Sequence, residues 1–337
     1  MKAFEIRDGF GLEKLVSCER PDPTPGPLQV RVRVKATSLN YRDLMMVEGR
    51  YNPRQKLPLV PNSDGAGVVD AVGPGVTRVK VGDRVIGLFA QAWAAGEPTR
   101  LVQQSTLGGP LDGALADTMV LREDGVVPTP DYLTDEEAAT LPCAALTAWS
   151  ALVTHGALKA GDVVLLQGTG GVSIFALQIA RLMGARVIIT SSRDDKLERA
   201  RGLGAHDGIN YVTTPDWDKA ARALTGSVGV DHVVEVGGAG TFEKSLRAVR
   251  PGGTVSVIGV LSGVAGAVPL TSILMQNLRV QGILVGHRQS FEALLRAFSQ
   301  HAVRPVVDRV FPFDEAVAAF HHLKSGAHFG KVVIRVG

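Results

Sequence analysis

Val163-Val-Leu-Leu-Gln-Gly-Thr-Gly-Gly-Val-Ser173, continuing into Ile174-Phe-Ala-Leu-Gln-Ile-Ala-Arg-Leu-Met183, decides the fold. It reads as a buried strand, a tight glycine turn and a helix. A second apolar run, Ala185-Arg-Val-Ile-Ile-Thr190, follows at once. That order is a βαβ unit with a glycine-rich first turn, the arrangement that binds dinucleotides. Gly168 lets the chain reverse, and Gly170 lets bare backbone approach a pyrophosphate. Thr169, Gly171 and Val172 complete the turn and open the helix, whose N-terminal N–H groups favour an anion. Ser173 stands where the third glycine of the fingerprint is usual. A small residue there still permits helix–sheet contact, and its hydroxyl is within expected reach of a phosphate. The alternative, a parallel α/β unit without ligand, leaves the glycines unexplained.

The end of the second strand bears on which dinucleotide binds. An NAD site usually carries an acidic residue there for the ribose 2′-OH. Here the strand runs out in Thr190-Ser-Ser-Arg193, with Lys196 close behind and Asp194 and Asp195 only later. Hydroxyls of Ser191 and Ser192 with the charges of Arg193 and Lys196 suit a 2′-phosphate, so NADPH is expected over NADH. The plainer alternative makes Arg193 and Lys196 solvated residues at a helix start, a place that disfavours positive charge unless an anion binds.

Outward from this unit, the chain has 337 residues, long for one domain and comfortable for two. The first third alternates like half-exposed strands. Gln29-Val-Arg-Val-Arg-Val-Lys35 is one; Gly65 to Gly73 and Gly82 to Gly87 are short strands closed by glycine turns. Such tight spacing suggests a small barrel. From about Leu121 the texture changes. Thr134-Asp-Glu-Glu is a helix start, and a helix is expected over Cys143 to Leu152. After the fingerprint, Val172, Ala176, Ile179 and Met183 share a helix face expected to pack on the sheet. Strand-like runs recur at Ile209–Val212, Asp231–Val236, Gly253–Gly259 and Val280–Val285, as a doubly wound sheet requires. The late strands are expected at its outer edge. The tail reads helix, helix, strand, ending in Phe329–Val336.

Composition narrows the function. A net charge of +3 without a basic block argues against nucleic acid. Two cysteines, Cys18 and Cys143, are too few for a disulfide framework or a structural zinc site. No apolar run is long enough to span a bilayer, and the opening Met1–Arg7 lacks a signal-peptide pattern, so cytoplasm is the expected location and no membrane partner is expected.

The segment order resembles the medium-chain dehydrogenase/reductase superfamily. The marks are Ser38-Leu-Asn-Tyr-Arg-Asp43, Asp64-Gly-Ala-Gly67, Val81-Gly-Asp-Arg-Val85, Ala138-Ala-Thr-Leu-Pro142, Thr147-Ala-Trp149, the Gly168 loop, Arg250-Pro-Gly-Gly253 and His328-Phe-Gly-Lys331. The resemblance implies an α/β protein: a GroES-like β-barrel catalytic domain over 1–123, a doubly wound, parallel-sheet Rossmann domain over 124–287 and a return to the catalytic domain over 288–337. It implies an active site in the cleft between the domains.

Zinc alcohol dehydrogenases of that superfamily have a cysteine where this chain has Asn40 and a His-Glu pair at Ser63-Asp64; their third ligand falls at Cys143. One thiol and one carboxylate make a poor zinc site, and the region of the structural zinc lobe, Ala90 to Asp117, has no cysteine. Cys143 reads as a small buried residue rather than a nucleophile. Without a Lewis acid, an activated acceptor is expected, and the chain resembles the zinc-free quinone oxidoreductase and enoyl reductase branches. The enoyl reductase resemblance puts a candidate proton donor at Tyr51, in Gly49-Arg-Tyr51, with Asn40 a second donor; the alternative for Tyr51 is a pocket-wall aromatic. Asp43 reads as a loop anchor, whereas Tyr41 and Arg42 receive no role. The same comparison implies Tyr211 and Lys196 near the 2′-phosphate, backbone around Gly259 and Val285 at the nicotinamide, and Phe329 and Lys331 on a tail segment closing on the cofactor. The expected substrate is a small carbonyl compound or quinone, and the expected assembly a homodimer that covers the sheet edge. Two alternatives stand: an alcohol dehydrogenase acting on alcohols and aldehydes, and a non-catalytic, crystallin-like NADPH-binding protein.

Overall fold

The computed structural model describes residues 1–337. The chain forms two compact units, Met1–Leu146 with Gly286–Gly337, and Thr147–Val285. The return point lies close to the expected 287/288. The first boundary falls later than the expected 123/124, inside a continuous helical run over 141–154. The reason lies in the pairing of the intervening chain. Val126–Pro128 forms a strand against Arg84–Gly87. Beyond it, the helix Asp135–Ala138 is tied back by the Arg84–Asp135 ion pair at 2.7 Å and the Arg335–Glu136 bond at 2.8 Å.

The first unit is built on one long strand, Gln29–Leu39. Val30, Val32, Val34 and Ala36 point into the core in strict alternation, and from Ala36 to Asn40 every residue is buried. Three strands share this strand antiparallel: Asp64–Val72, Thr118–Arg122 and the C-terminal Lys331–Arg335. The register sets Val332 opposite Leu39, and Ser38 opposite Asp64. The central strand therefore ends at Asn40 with Lys331 beside it on one flank and Ser63–Asp64 on the other. Residues distant in sequence meet there because three strands terminate at one level.

The second unit is a six-stranded, wholly parallel sheet. Its spatial order is 207–210, 186–191, 163–166, 230–235, 249–257 and 279–282. In order of sequence this is 3-2-1-4-5-6, the doubly wound arrangement, with the switch point between 163–166 and 230–235. The expected edge position of the late strands holds: Arg279–Gly282 is the outermost. The fingerprint helix, Gly171–Leu182, departs from its expected single face. Val172 and Met183 are only half-buried, while Ile174, Phe175, Ala176, Leu177, Ile179 and Ala180 are all buried. The helix packs on Ser150–Thr154 as well as on the sheet, so a wider arc of its surface leaves water. No helix of the chain is long and apolar enough to cross a membrane.

Candidate active site and nucleotide site

In the first unit a buried polar row runs across the three strand ends. Lys331 Nζ donates to the Leu39 carbonyl at 2.7 Å and to Asn40 Oδ1 at 2.6 Å. Asn40 Nδ2 donates to Ser63 Oγ at 3.3 Å, and Ser63 Oγ donates to Asp64 Oδ1 at 2.6 Å. Asp64 Oδ2 accepts from the Cys143 backbone N–H at 3.1 Å. Asp43 closes the row from behind. Its carboxylate accepts from the backbone N–H groups of Asn40 (2.9 Å) and Ser63 (3.3 Å) and pairs with Arg42 at 3.2 Å. Two cations and two carboxylates thus balance in a nearly dry space, as burial of charge demands.

Burial governs the protonation of these groups. It pushes the Asp64 carboxyl up to about 6, against the opposing pull of the Lys331 ammonium. It likewise raises the Asp43 carboxyl and the Cys143 thiol, and lowers the Lys331 ammonium. A raised thiol is a poor nucleophile, in keeping with a packing role for Cys143. Asp43 is the loop anchor expected of it.

Tyr51 follows the helix Tyr41–Val47 and is 45% exposed. Its ring lies 4.9 Å from the Arg42 guanidinium, which is 5.2 Å from the Phe89 ring on its other contact. The same guanidinium donates to the carbonyls of Leu107 (2.8 Å), Gly108 (3.3 Å) and Gly109 (3.1 Å). Arg42, without a role in the sequence reading, is the fixed platform on which the Tyr51 ring rests.

In the second unit the fingerprint turn has the geometry its residues imply. Gly168 has φ +70°, and a Cβ there would meet nothing within 4 Å, so the turn opens onto free space. The N–H groups of Gly171, Val172 and Ser173 precede the first intrahelical bond, from Ile174 N to Gly170 O at 3.0 Å. This is the cradle a pyrophosphate requires. Ser173 departs from expectation: its hydroxyl donates to the Gln167 carbonyl at 2.6 Å, tying the turn together instead of offering its proton to a phosphate.

The adenosine-end residues are partly gathered. Parallel pairing sets Asn210 opposite Ser191, and the Tyr211 N–H donates to the Ser191 carbonyl at 3.0 Å. Ser192, Arg193 and Tyr211 are exposed around that corner, whereas Ser191 and Lys196 are buried. Ser191 Oγ accepts from the Arg193 N–H at 3.3 Å, and Arg193 pairs with Asp195 at 2.7 Å. An exposed pair of this kind is worth little and opens readily to a better anion. A Cβ at Gly259 would lie 2.4 Å from the Val236 carbonyl, so only glycine allows this approach of the two strand ends. Val285 is buried with φ +44°, an unusual backbone for a β-branched residue.

Phe329 and Lys331 are both buried in the first unit. Lys331, expected on a segment closing on the cofactor, has its ammonium on Asn40 and Leu39.

Sequence reading missed the network at the switch point. Glu235 is fully buried and accepts from Gln167 Nε2 (2.7 Å), the Gly237 N–H (2.8 Å), the Gly238 N–H (2.9 Å) and Thr241 Oγ1 (2.6 Å), with a further short bond from Ser245. Gln167 Oε1 accepts in turn from Val236 and Gly237, both at 3.2 Å. The turn after the first strand and the turn after the fourth are thereby one hydrogen-bonded body. A carboxylate closing the apolar run Val233-Val-Glu235 was the available signal.

Two family models cover most of the chain. The alcohol dehydrogenase GroES-like domain matches residues 26–131, and the zinc-binding dehydrogenase domain matches residues 171–300. A zinc-type alcohol dehydrogenase-like protein of Schizosaccharomyces pombe is 43% identical, over 92% of this chain and 91% of its own. The crystal structure of an NAD-dependent alcohol dehydrogenase superposes with a TM-score of 0.92 at 38% identity, over the whole of both chains. That of the 2-octenoyl-CoA carboxylase reductase CinF, in complex with NADP and 2-octenoyl-CoA, superposes with a TM-score of 0.87 at 28% identity, over 99% of this chain and 87% of its own. The protein is an oxidoreductase of the medium-chain dehydrogenase/reductase superfamily, with a GroES-like unit and a Rossmann-type unit.

The zinc in the name of the matched family does not fit the residues present. No three His, Cys, Asp or Glu side chains are grouped to hold a metal ion. Asp64 and Cys143 share their cluster with the Lys331 ammonium, a cation already in place. The backbone cradle at Gly168–Ser173 does fit a dinucleotide phosphate.

Proposed function

We propose that this protein is an NADPH-dependent reductase that delivers hydride, without zinc, to quinones or α,β-unsaturated carbonyl compounds. The observation that carries this reading is the Lys331–Asn40–Ser63–Asp64 row: an amide and a hydroxyl stand at two of the positions the zinc branch gives to metal ligands, and the Lys331 ammonium is bonded to that amide. NADPH, when bound, supplies the hydride. The groups proposed to hold it are the Gly168–Ser173 backbone, Ser192 and Arg193 at the 2′-phosphate with Tyr211 beside them, and the chain around Gly259 and Val285. Hydride arrival at the β-carbon leaves negative charge on the carbonyl oxygen. Asn40 Nδ2 and the Tyr51 hydroxyl are the proposed donors to that oxygen, held ready before reaction so that no solvent has to reorganise. A conjugated acceptor spreads its own charge and needs no Lewis acid. The resemblance to a reductase crystallised with an enoyl-CoA supports this substrate class.

The second reading, an alcohol dehydrogenase, is favoured by the names of the relatives. A panel of quinones, enones, enoyl-CoA esters and simple aldehydes, assayed with NADPH and NADH before and after chelation, separates the two. Turnover of conjugated acceptors that survives chelation is expected; turnover confined to simple aldehydes and abolished by chelation overturns the proposal.

We also propose a homodimer joined through the second unit. Leu270, Leu274 and Met275 are 73%, 76% and 81% exposed, immediately before the edge strand Arg279–Gly282. So much bare apolar surface beside an unpaired edge favours a partner, and a second copy offers the same face. Light scattering is expected to give the dimer mass, and Leu274→Glu the monomer mass. A wild-type monomer at micromolar concentration contradicts it.

A further inference from the structure

We propose that Lys331 is a positioning residue of the reductase site, which fixes the polarity of the Asn40 amide so that Asn40 can only donate toward substrate. The proposal rests on the reductase reading above and gives Lys331 a place there instead of on the cofactor.

The argument is one of donor and acceptor counting. An ammonium carries three N–H donors and no acceptor. The Asn40 atom 2.6 Å from Lys331 Nζ is therefore the carbonyl oxygen, and the amide nitrogen must face the other way. Lys331 is itself held by the Leu39 carbonyl at 2.7 Å and is only 3% exposed, so its head cannot swing to water. On the far side, Asn40 Nδ2 has two hydrogens. One goes to Ser63 Oγ at 3.3 Å. Ser63 Oγ is free to accept it because its own proton is committed to Asp64 at 2.6 Å. The row thus runs in one sense, from ammonium to amide to hydroxyl to carboxylate, and every member is oriented by its neighbours. The second Nδ2 hydrogen has only the Asp64 carboxylate to compete for it, whose two oxygens Ser63 and Cys143 already engage, and Asn40 is 8% exposed. A cation on the amide oxygen also polarises the N–H bonds and makes them better donors. This is the property needed of a group facing an oxyanion.

Lys331→Met keeps the length of the side chain and removes the charge. Lys331→Met with Asp64→Asn keeps the buried cluster electrically balanced and serves if the single variant does not fold. The expected result is a fall in kcat of at least tenfold for an enone, with the Kd for NADPH within twofold of wild type. In an Asn40→Ala background the same change at Lys331 is expected to cost less than twofold, because Lys331 acts through Asn40. Equal losses in the two backgrounds overturn the proposal, as does a weakened NADPH Kd with kcat intact, which would return Lys331 to the cofactor. Hydrogen exchange of the 15N-labelled Asn40 side-chain amide needs no substrate. It is expected to quicken in Lys331→Met, and unchanged exchange refutes the positioning role. A wild-type protein that reduces no quinone or enone sinks the reductase reading alone, since the exchange measurement then still judges the orientation of Asn40.

Discussion

The two units build their sites from opposite materials. In the Rossmann-type unit the working groups are backbone N–H groups and missing side chains: the Gly168 turn, the bare first turn of Gly171–Leu182 and the close approach at Gly259. In the GroES-like unit they are buried side chains from positions 40, 63, 64 and 331, joined by the backbone at 143. A backbone cradle is local, tolerant of its surroundings and suited to an invariant ligand part such as a pyrophosphate. A side-chain row is non-local, charged and dry, and every partner must be present for any to be stable. On the proposed function, the first kind of site confers binding and the second sets what chemistry the bound molecule undergoes. Changes in the second unit are therefore expected to move affinity and stability, and changes in the first to move turnover.

The sharpest test lies where that division is least clean, at Glu235, a buried side chain that supports a backbone site. Glu235→Ala strands the donors of Gln167, Gly237, Gly238, Thr241 and Ser245 in a dry place. Each buried donor left without a partner costs about 1–3 kcal/mol, and several are stranded together. Urea unfolding is expected to register that loss, and NADPH affinity to fall with it. A stable variant with normal NADPH affinity would break the comparison.

In the other unit, Tyr51→Phe removes a proposed oxyanion donor and keeps the ring that rests on Arg42. Turnover of enones is expected to drop about a hundredfold, the roughly 2.7–4 kcal/mol typical of one such donor, with NADPH affinity unchanged. Quinones are expected to suffer less, since they need less help from a proton donor. Equal rates with both substrates would reduce Tyr51 to a pocket wall held on Arg42.

A pH series sharpens the charged character of the row. The Asp64 carboxyl titrates near 6 in the folded protein, above its ordinary 3.8. The folded state thus holds its proton more tightly than the unfolded chain, and the stability this confers is present below the ordinary value and lost as pH rises through the folded one. Between pH 4 and pH 7 the stability of Asp64→Asn is expected to gain on wild type by on the order of 3 kcal/mol, the free-energy equivalent of that shift. A difference that stays flat across this range, measured by urea unfolding, would mean that the row is wetter than its burial implies.

The smallest effect belongs to Arg193, exposed and already paired with Asp195. Arg193→Ala is expected to weaken NADPH modestly, because solvent screens an exposed contact, and to leave NADH nearly untouched. Equal losses for the two cofactors would remove the 2′-phosphate from this corner.

Legibility in the sequence divides along the same line. The Gly168 loop, the strands on either side of it and the outer place of the last strand could be read directly, because turn chemistry and hydrophobic period are properties of neighbouring residues. Asn40 and Tyr51 were reached only through resemblance, and Lys331 was reached with a different role. Ser173 looked like a phosphate donor, yet its proton belongs to Gln167. Glu235 passed unremarked, as the last residue of an apolar strand whose partners lie up to 68 positions away. Nor did the first boundary show, because the pairing of Val126–Pro128 with Arg84–Gly87 is a contact between strands and not a change of composition.

The sequence by itself determined the parallel sheet and its glycine turn, since each depends on which residues are adjacent. Only the tertiary structure decided that Lys331 faces Asn40, that burial raises the Asp64 carboxyl and that one carboxylate ties two turns together. Strand register and burial create those facts, and both arise when distant segments end at the same level of a sheet and exclude water from the side chains they bring there.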